Sequence, residues 1–82
     1  METRETQAAA LADAISGTLR LARALVLSGR HVDLAGLDAD VARLCAACLD
    51  LPPAQGRRLS PRLAAILADL DTLRATLAET PK

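Results

Sequence analysis

Three stretches of the chain carry apolar residues every three or four positions, the spacing that places side chains on one face of an α-helix. In the first stretch these residues are Ala8, Leu11, Ile15, Leu19, Ala22 and Val26. No stretch shows the two-residue alternation that is typical of a half-buried β-strand. We therefore predict an all-α fold, a single domain over residues 1–82 whose three helices pack as an antiparallel, up-down-up bundle.

Capping residues mark the ends of the first two helices. Helix 1 is predicted over about residues 4–28, because Gly29 can adopt the left-handed conformation that ends many helices. Helix 2 is predicted over about residues 34–50, with Asp33 as its N-cap. The prolines at 52–53 then stop it.

The start of the third helix has two interpretations. Residues 52–59 contain two prolines and a glycine, a composition typical of a linker. Ser60 can act as N-cap with Pro61 at the first helical position, so that helix 3 covers about residues 61–79. The apolar spacing also continues backward past Pro61, which would place the start near Pro53 and Pro61 inside the helix. We prefer the Ser60 start because its capping chemistry is local and explicit.

The composition narrows the possible partners. The chain has no Phe, Tyr or Trp, and its ten basic and ten acidic residues cancel. Single-stranded nucleic acid is usually held by aromatic stacking and a basic surface, so we expect no nucleic-acid partner. Asp13, Arg20 and Arg23 interrupt the most apolar segment, which argues against a membrane-spanning helix. The first residues carry no export signal, and we expect a cytoplasmic protein with reduced cysteines.

Cys45 and Cys48 form a C-x-x-C pattern that resembles a redox or metal motif. Redox pairs of this kind lie at a helix N-terminus, whereas these cysteines lie in the C-terminal half of predicted helix 2. A closed zinc site would need two further ligands, and the sequence offers no second cysteine pair or paired histidines. We interpret both as small apolar residues of a helix interface. A thiol or metal switch at this pair stays as an alternative.

Groups that could carry catalysis are sparse. His31 lies in the predicted turn after helix 1, and general acid–base chemistry would need a second group held within its reach. The sequence has no serine flanked by elbow glycines and no glycine-rich phosphate loop. We therefore predict that the protein is not an enzyme and has no catalytic residue, cofactor, metal site or small-molecule substrate.

The apolar faces indicate contact with another protein chain. An 82-residue domain buries only about 60% of its unfolded surface, so a partner is expected to cover part of what remains. The residues that we assign to such an interface are Leu21, Leu25, Leu63, Ile66, Leu70, Leu73 and Leu77. Arg57, Arg58 and Arg62 form a basic cluster that can dock an acidic segment.

These features predict a non-catalytic interaction module, either an adaptor or a small chaperone, that recognises a protein partner such as a helical segment. The alternative is a self-associating bundle, a homodimer in which a second copy covers the excess apolar surface and no client binds.

The order of these elements resembles a known family. A leucine-rich helix ends in residues 25–34, a second amphipathic helix follows, and residues 66–73 continue a similar pattern. This layout is similar to that of the small helical export chaperones of the bacterial flagellar system, the FliT type. The resemblance implies a bacterial protein whose third helix, with Leu63 and Leu77 near the ends of its apolar stripe, holds an export client. The chain departs from the family at His31, where an aromatic residue is frequent.

Overall fold

The structure, a computed structural model, describes residues 3–79. It contains three α-helices, α1 (Arg4–Leu27), α2 (Ala35–Leu49) and α3 (Pro53–Glu79). Each helix contacts the other two, and residues 3–79 contain no β-strand. The predicted all-α three-helix bundle is confirmed.

Ion pairs between helices show the direction in which each helix runs. Glu5, at the start of α1, pairs with Arg58 near the start of α3. Asp38, at the start of α2, pairs with Arg74 near the end of α3. Helices α1 and α3 are therefore parallel, and α2 lies antiparallel to both.

The ends of α1 follow from local chemistry. The Thr6 backbone N–H donates to the Thr3 hydroxyl oxygen at 3.1 Å, which satisfies one of the free donors of the first turn. At the other end Gly29 has a φ of 88°, the left-handed conformation predicted for it. The last helical residue is Leu27, one position before the predicted end.

Helix α2 begins at Ala35, one residue later than predicted, so Asp33 lies one position before the N-cap. Leu34 occupies the N-cap position, and its side chain makes no capping hydrogen bond. The Ala35 backbone N–H instead donates to the Asp33 carboxylate at 2.9 Å. Helix α2 ends at Leu49, within one residue of the prediction.

The preferred start of helix 3 is wrong. Helix α3 begins at Pro53, and most of the predicted linker at 52–59 is helical. A proline is well tolerated in the first turn, because the backbone N–H that it lacks would have no helical partner there. Leu59 is buried in a small cluster with Ala8 and Leu51, and this burial holds the early turns of α3 against the other helices. Pro61 is accommodated inside the helix on an exposed position.

The core is aliphatic throughout. Its main cluster joins all three helices and consists of Ala12, Ile15, Leu19, Ala22, Val26, Leu37, Val41, Leu44, Ile66, Leu70 and Leu73. Among residues 3–79 no polar or charged residue is buried. The three ion pairs between helices therefore lie at the rim of the core, and all three involve α3: Glu5–Arg58, Asp13–Arg62 and Asp38–Arg74.

Candidate functional site

Most of the interface residues predicted on α3 lie inside the bundle. Ile66, Leu70 and Leu73 are 2%, 3% and 4% exposed and belong to the main core cluster. Leu63 and Leu77 are half-buried and pack against the same cluster. The apolar stripe of α3 therefore packs mainly into the protein's own core.

The interface residues predicted on α1 are exposed. Leu21 and Leu25 are 62% and 36% exposed, and they lie one helical turn apart. Leu27 is 71% exposed and was not among the predicted interface residues. It follows Leu25 by two positions, about 200° around the helix, and therefore projects from another flank of α1. The C-terminal half of α1 presents leucine side chains to solvent on both sides.

The predicted basic cluster is largely neutralised within the chain. Arg58 donates two hydrogen bonds of 2.9 Å to the Glu5 carboxylate, and Arg62 pairs with Asp13. The hydrogen bond with Arg58 lowers the pKa of Glu5, and the same contact raises the pKa of Arg58. Arg57 is exposed and has no ion-pair partner among the described residues. As a docking site for an acidic partner, the cluster retains one unpaired cation.

The two cysteines are half-buried and pack against the core. Burial, and secondly the charge of the neighbouring Cys45, raises the pKa of the Cys48 thiol. This shift favours the neutral thiol over the reactive thiolate. Within residues 3–79 no group of three His, Cys, Asp or Glu side chains is placed to hold a metal ion. The environment of the pair is that of a helix interface.

A groove of about 380 Å³ lies between α1 and α3, and we call it the α1/α3 groove. On the α1 side its lining extends from Ser16 to Leu27, and on the α3 side from Asp69 to Thr76. Three buried aliphatic side chains form its floor: Leu19, Val26 and Leu73. Core residues thus form the base of an open channel between two parallel helices.

Two arginines of α1 line this groove. Arg20 and Arg23 are exposed, and neither makes an ion pair or side-chain hydrogen bond within residues 3–79. Asp69 lines the α3 side and is not within ion-pair distance of either arginine. The Thr72 hydroxyl, also in the lining, donates to the Ala68 carbonyl at 3.0 Å and keeps acceptor capacity. The groove therefore combines an apolar floor with an excess of one positive charge.

A second groove, also of about 380 Å³, lies between α1 and the end of α2. Arg4 and Asp50 contribute one charge of each sign to its lining, together with Gln7 and the aliphatic Leu11. Its charges balance, unlike those of the α1/α3 groove, although the two volumes are equal.

The sequence analysis did not single out Arg20 and Arg23, the two arginines that line the α1/α3 groove. Both arginines lie outside the apolar stripe of helix 1, but the sequence does not show which side of α1 packs against α3. A pair of arginines three positions apart at the edge of an apolar stripe was the pattern that could have marked them.

Comparison of the chain with models of protein families, with curated proteins and with solved structures finds no match. Within residues 3–79 no helix has the length and apolar character that crossing a membrane requires.

Proposed function

We propose that this protein is a non-catalytic protein–protein interaction module, an adaptor or a small chaperone, that binds its partner on the C-terminal half of α1. The observation that carries the proposal is the exposure of Leu21, Leu25 and Leu27 within seven residues of one helix. We propose that it acts in the cytoplasm, as expected from its sequence. The resemblance to flagellar export chaperones adds the hypothesis that the partner is an export client.

The physical basis is the free energy gained when these leucines leave water. Full burial of one leucine side chain stabilises a complex by about 1.5–3 kcal/mol. Interfaces are typically centred on a few buried anchors of this kind. Leu21 and Leu25 lie one turn apart and present a short apolar ridge, the unit from which helix–helix contacts are built.

Site-specific photo-crosslinking in cells that naturally make the protein tests this proposal. A photoreactive amino acid replaces Leu21, Leu25 or Leu27 in separate variants, and mass spectrometry identifies each cross-linked protein. Leu49 is the matched control, because this leucine of α2 is 86% exposed and lies outside the proposed surface. We expect one protein partner to be linked from the α1 positions and absent from the Leu49 sample.

Two results would contradict the proposal. Equal cross-linking from Leu49 and from α1 would show nonspecific hydrophobic capture. Cross-links that join only copies of this chain would instead support the self-associating bundle, and light scattering on the purified protein would then show a stable dimer. An identified flagellar export client among the linked proteins would support the chaperone resemblance.

A further inference from the structure

We infer that the α1/α3 groove binds an acidic amphipathic helix, with apolar side chains on its aliphatic floor and carboxylates on Arg20 and Arg23. This inference rests on the proposed function and names the chemistry of the partner. It also assigns a site beyond the Leu21 and Leu25 surface.

Charge is the first argument. Four of the nine arginines in residues 3–79 already pair with carboxylates of this chain: Arg43, Arg58, Arg62 and Arg74. Arg20 and Arg23 have no such partner and share one groove, where Asp69 is the one acidic residue in the lining. Two unpaired guanidinium groups beside an apolar floor are complementary to carboxylates carried by an apolar ligand.

Shape is the second argument. Leu27 follows Ser16 by eleven positions, which corresponds to about 16 Å along α1, or three helical turns. The α3 side, Asp69 to Thr76, adds a wall of about 10 Å. A groove that extends over about three turns between parallel helices suits a helix laid into it better than a compact metabolite. Leu27, which is 71% exposed, lies at one end and would cover the last turn of the ligand.

The two arginines define the ligand pattern. Side chains three positions apart on a helix have Cβ atoms about 5–6 Å apart, so Arg20 and Arg23 match two acidic residues spaced by three or four positions. The floor residues match apolar side chains at positions i, i+4 and i+7 of the ligand. A leucine-type stripe flanked by paired Glu or Asp is the expected sequence.

A displayed library of random 16-residue peptides, selected against the full chain, provides the test. We expect the enriched peptides to carry this acidic and apolar pattern and to shift backbone amide signals of α1 and α3 in NMR spectra. The double variant Arg20→Glu/Arg23→Glu should bind them at least about tenfold more weakly. Reversing the two acidic peptide residues to lysine should restore binding to that variant.

Arg4→Glu is the matched control, because Arg4 is an unpaired arginine in the charge-balanced second groove. It should bind the enriched peptides with the affinity of the wild-type chain. Circular dichroism should show wild-type helicity for the double variant, since its two arginines are exposed and unpaired.

The inference is overturned if no peptide is enriched, or if the enriched peptides lack acidic residues. It is also overturned if the double variant binds them as the wild type does. Each of these results leaves the proposed function standing when Leu21 and Leu25 cross-link a protein partner. If those positions also fail to cross-link one, the proposed function fails independently.

Discussion

The side chains of Glu5 and Arg58 join α1 to α3 by two hydrogen bonds of 2.9 Å, and this contact lowers the pKa of Glu5 below its ordinary value of 4.5. A carboxylate with a lowered folded-state pKa stabilises the fold above its unfolded-state pKa. That contribution is lost as the pH falls through the folded-state pKa. We expect wild type to unfold at a higher temperature than Glu5→Gln near neutral pH, and the difference should shrink as the pH falls below 4.5 through the lowered pKa of Glu5.

NMR titration of the Glu5 carboxyl carbon checks the cause directly. In Arg58→Gln the pKa of Glu5 should rise toward its ordinary value, because the guanidinium that stabilises the carboxylate is gone. An unchanged pKa in that variant would show that Arg58 is not responsible.

Aliphatic residues should contribute very differently to stability according to whether they are buried in the core. Ile15 is 2% exposed at the centre of the main cluster, whereas Leu49 is 86% exposed. Ile15→Ala should lower the free energy of unfolding by about 2–5 kcal/mol through lost burial and a cavity. Leu49→Ala should change it by less than about 0.5 kcal/mol. Urea denaturation of the two variants measures both, and equal effects would contradict the assigned core.

Replacing two of the glycines by alanine should change the stability of the protein in opposite directions. Gly29 has a φ of 88°, where a Cβ atom is strained whatever the space around it. Gly29→Ala should destabilise the protein by about 1 kcal/mol. Gly17 lies inside α1, and a Cβ atom there would meet nothing within 4 Å. Gly17→Ala should stabilise by about 0.5–1 kcal/mol in thermal unfolding, so a loss of stability in this variant would be inconsistent with an exposed helical position.

At the scale of the element, α3 shows how a proline can lie inside a continuous helix. Pro61 cannot donate the backbone hydrogen bond that residue 61 would otherwise give to the Arg57 carbonyl. Pro61→Ala restores that bond on an exposed position and should raise the free energy of unfolding by about 1–3 kcal/mol. Pro53→Ala is the control, since the first helical position needs no such bond, and it should have little effect. A loss of stability in Pro61→Ala would show that the proline shapes α3 in the bundle.

The same element shows what the sequence could and could not predict. The caps at Asp33 and Gly29 were visible because they depend on neighbours in the chain. The start of α3 was not, because Ser60-Pro61 is an equally valid local start. The burial of Leu59 against Ala8 and Leu51, a contact between distant segments, favours the earlier start.

Only the part of the candidate site that depends on local spacing could be predicted from the sequence. Leu21 and Leu25 could be assigned to an apolar flank of α1 from spacing alone. The pairing of Arg58 with Glu5 and of Arg62 with Asp13 depends on how α1 and α3 align, which no local pattern encodes. Arg20 and Arg23 became site candidates once that alignment was known.

At the scale of the whole molecule, the three rim ion pairs should fix how the helices align. Replacing Glu5, Asp13 and Asp38 by their amides removes all three pairs. We expect this triple variant to keep its helical circular dichroism and to lose dispersion in its amide NMR spectrum, because aliphatic cores of correct volume lose uniqueness before stability. Asp40→Asn removes a pair within α2 and serves as control, with an unchanged spectrum expected. A well-dispersed spectrum for the triple variant would assign the alignment to core packing.

The uniformly aliphatic core has a consequence for how this fold can change over evolutionary time. Buried polar groups often act as markers that distinguish one helix alignment from its neighbours, and residues 3–79 contain none. We therefore expect volume-conserving exchanges among leucine, isoleucine and valine in the core to leave the alignment of the helices unchanged. In divergent descendants of this chain, we expect aliphatic core residues to vary freely among one another. We expect the two members of each rim ion pair to change charge sign together. Sequence relationships among such descendants would then be clearer in the surface charges than in the core residues.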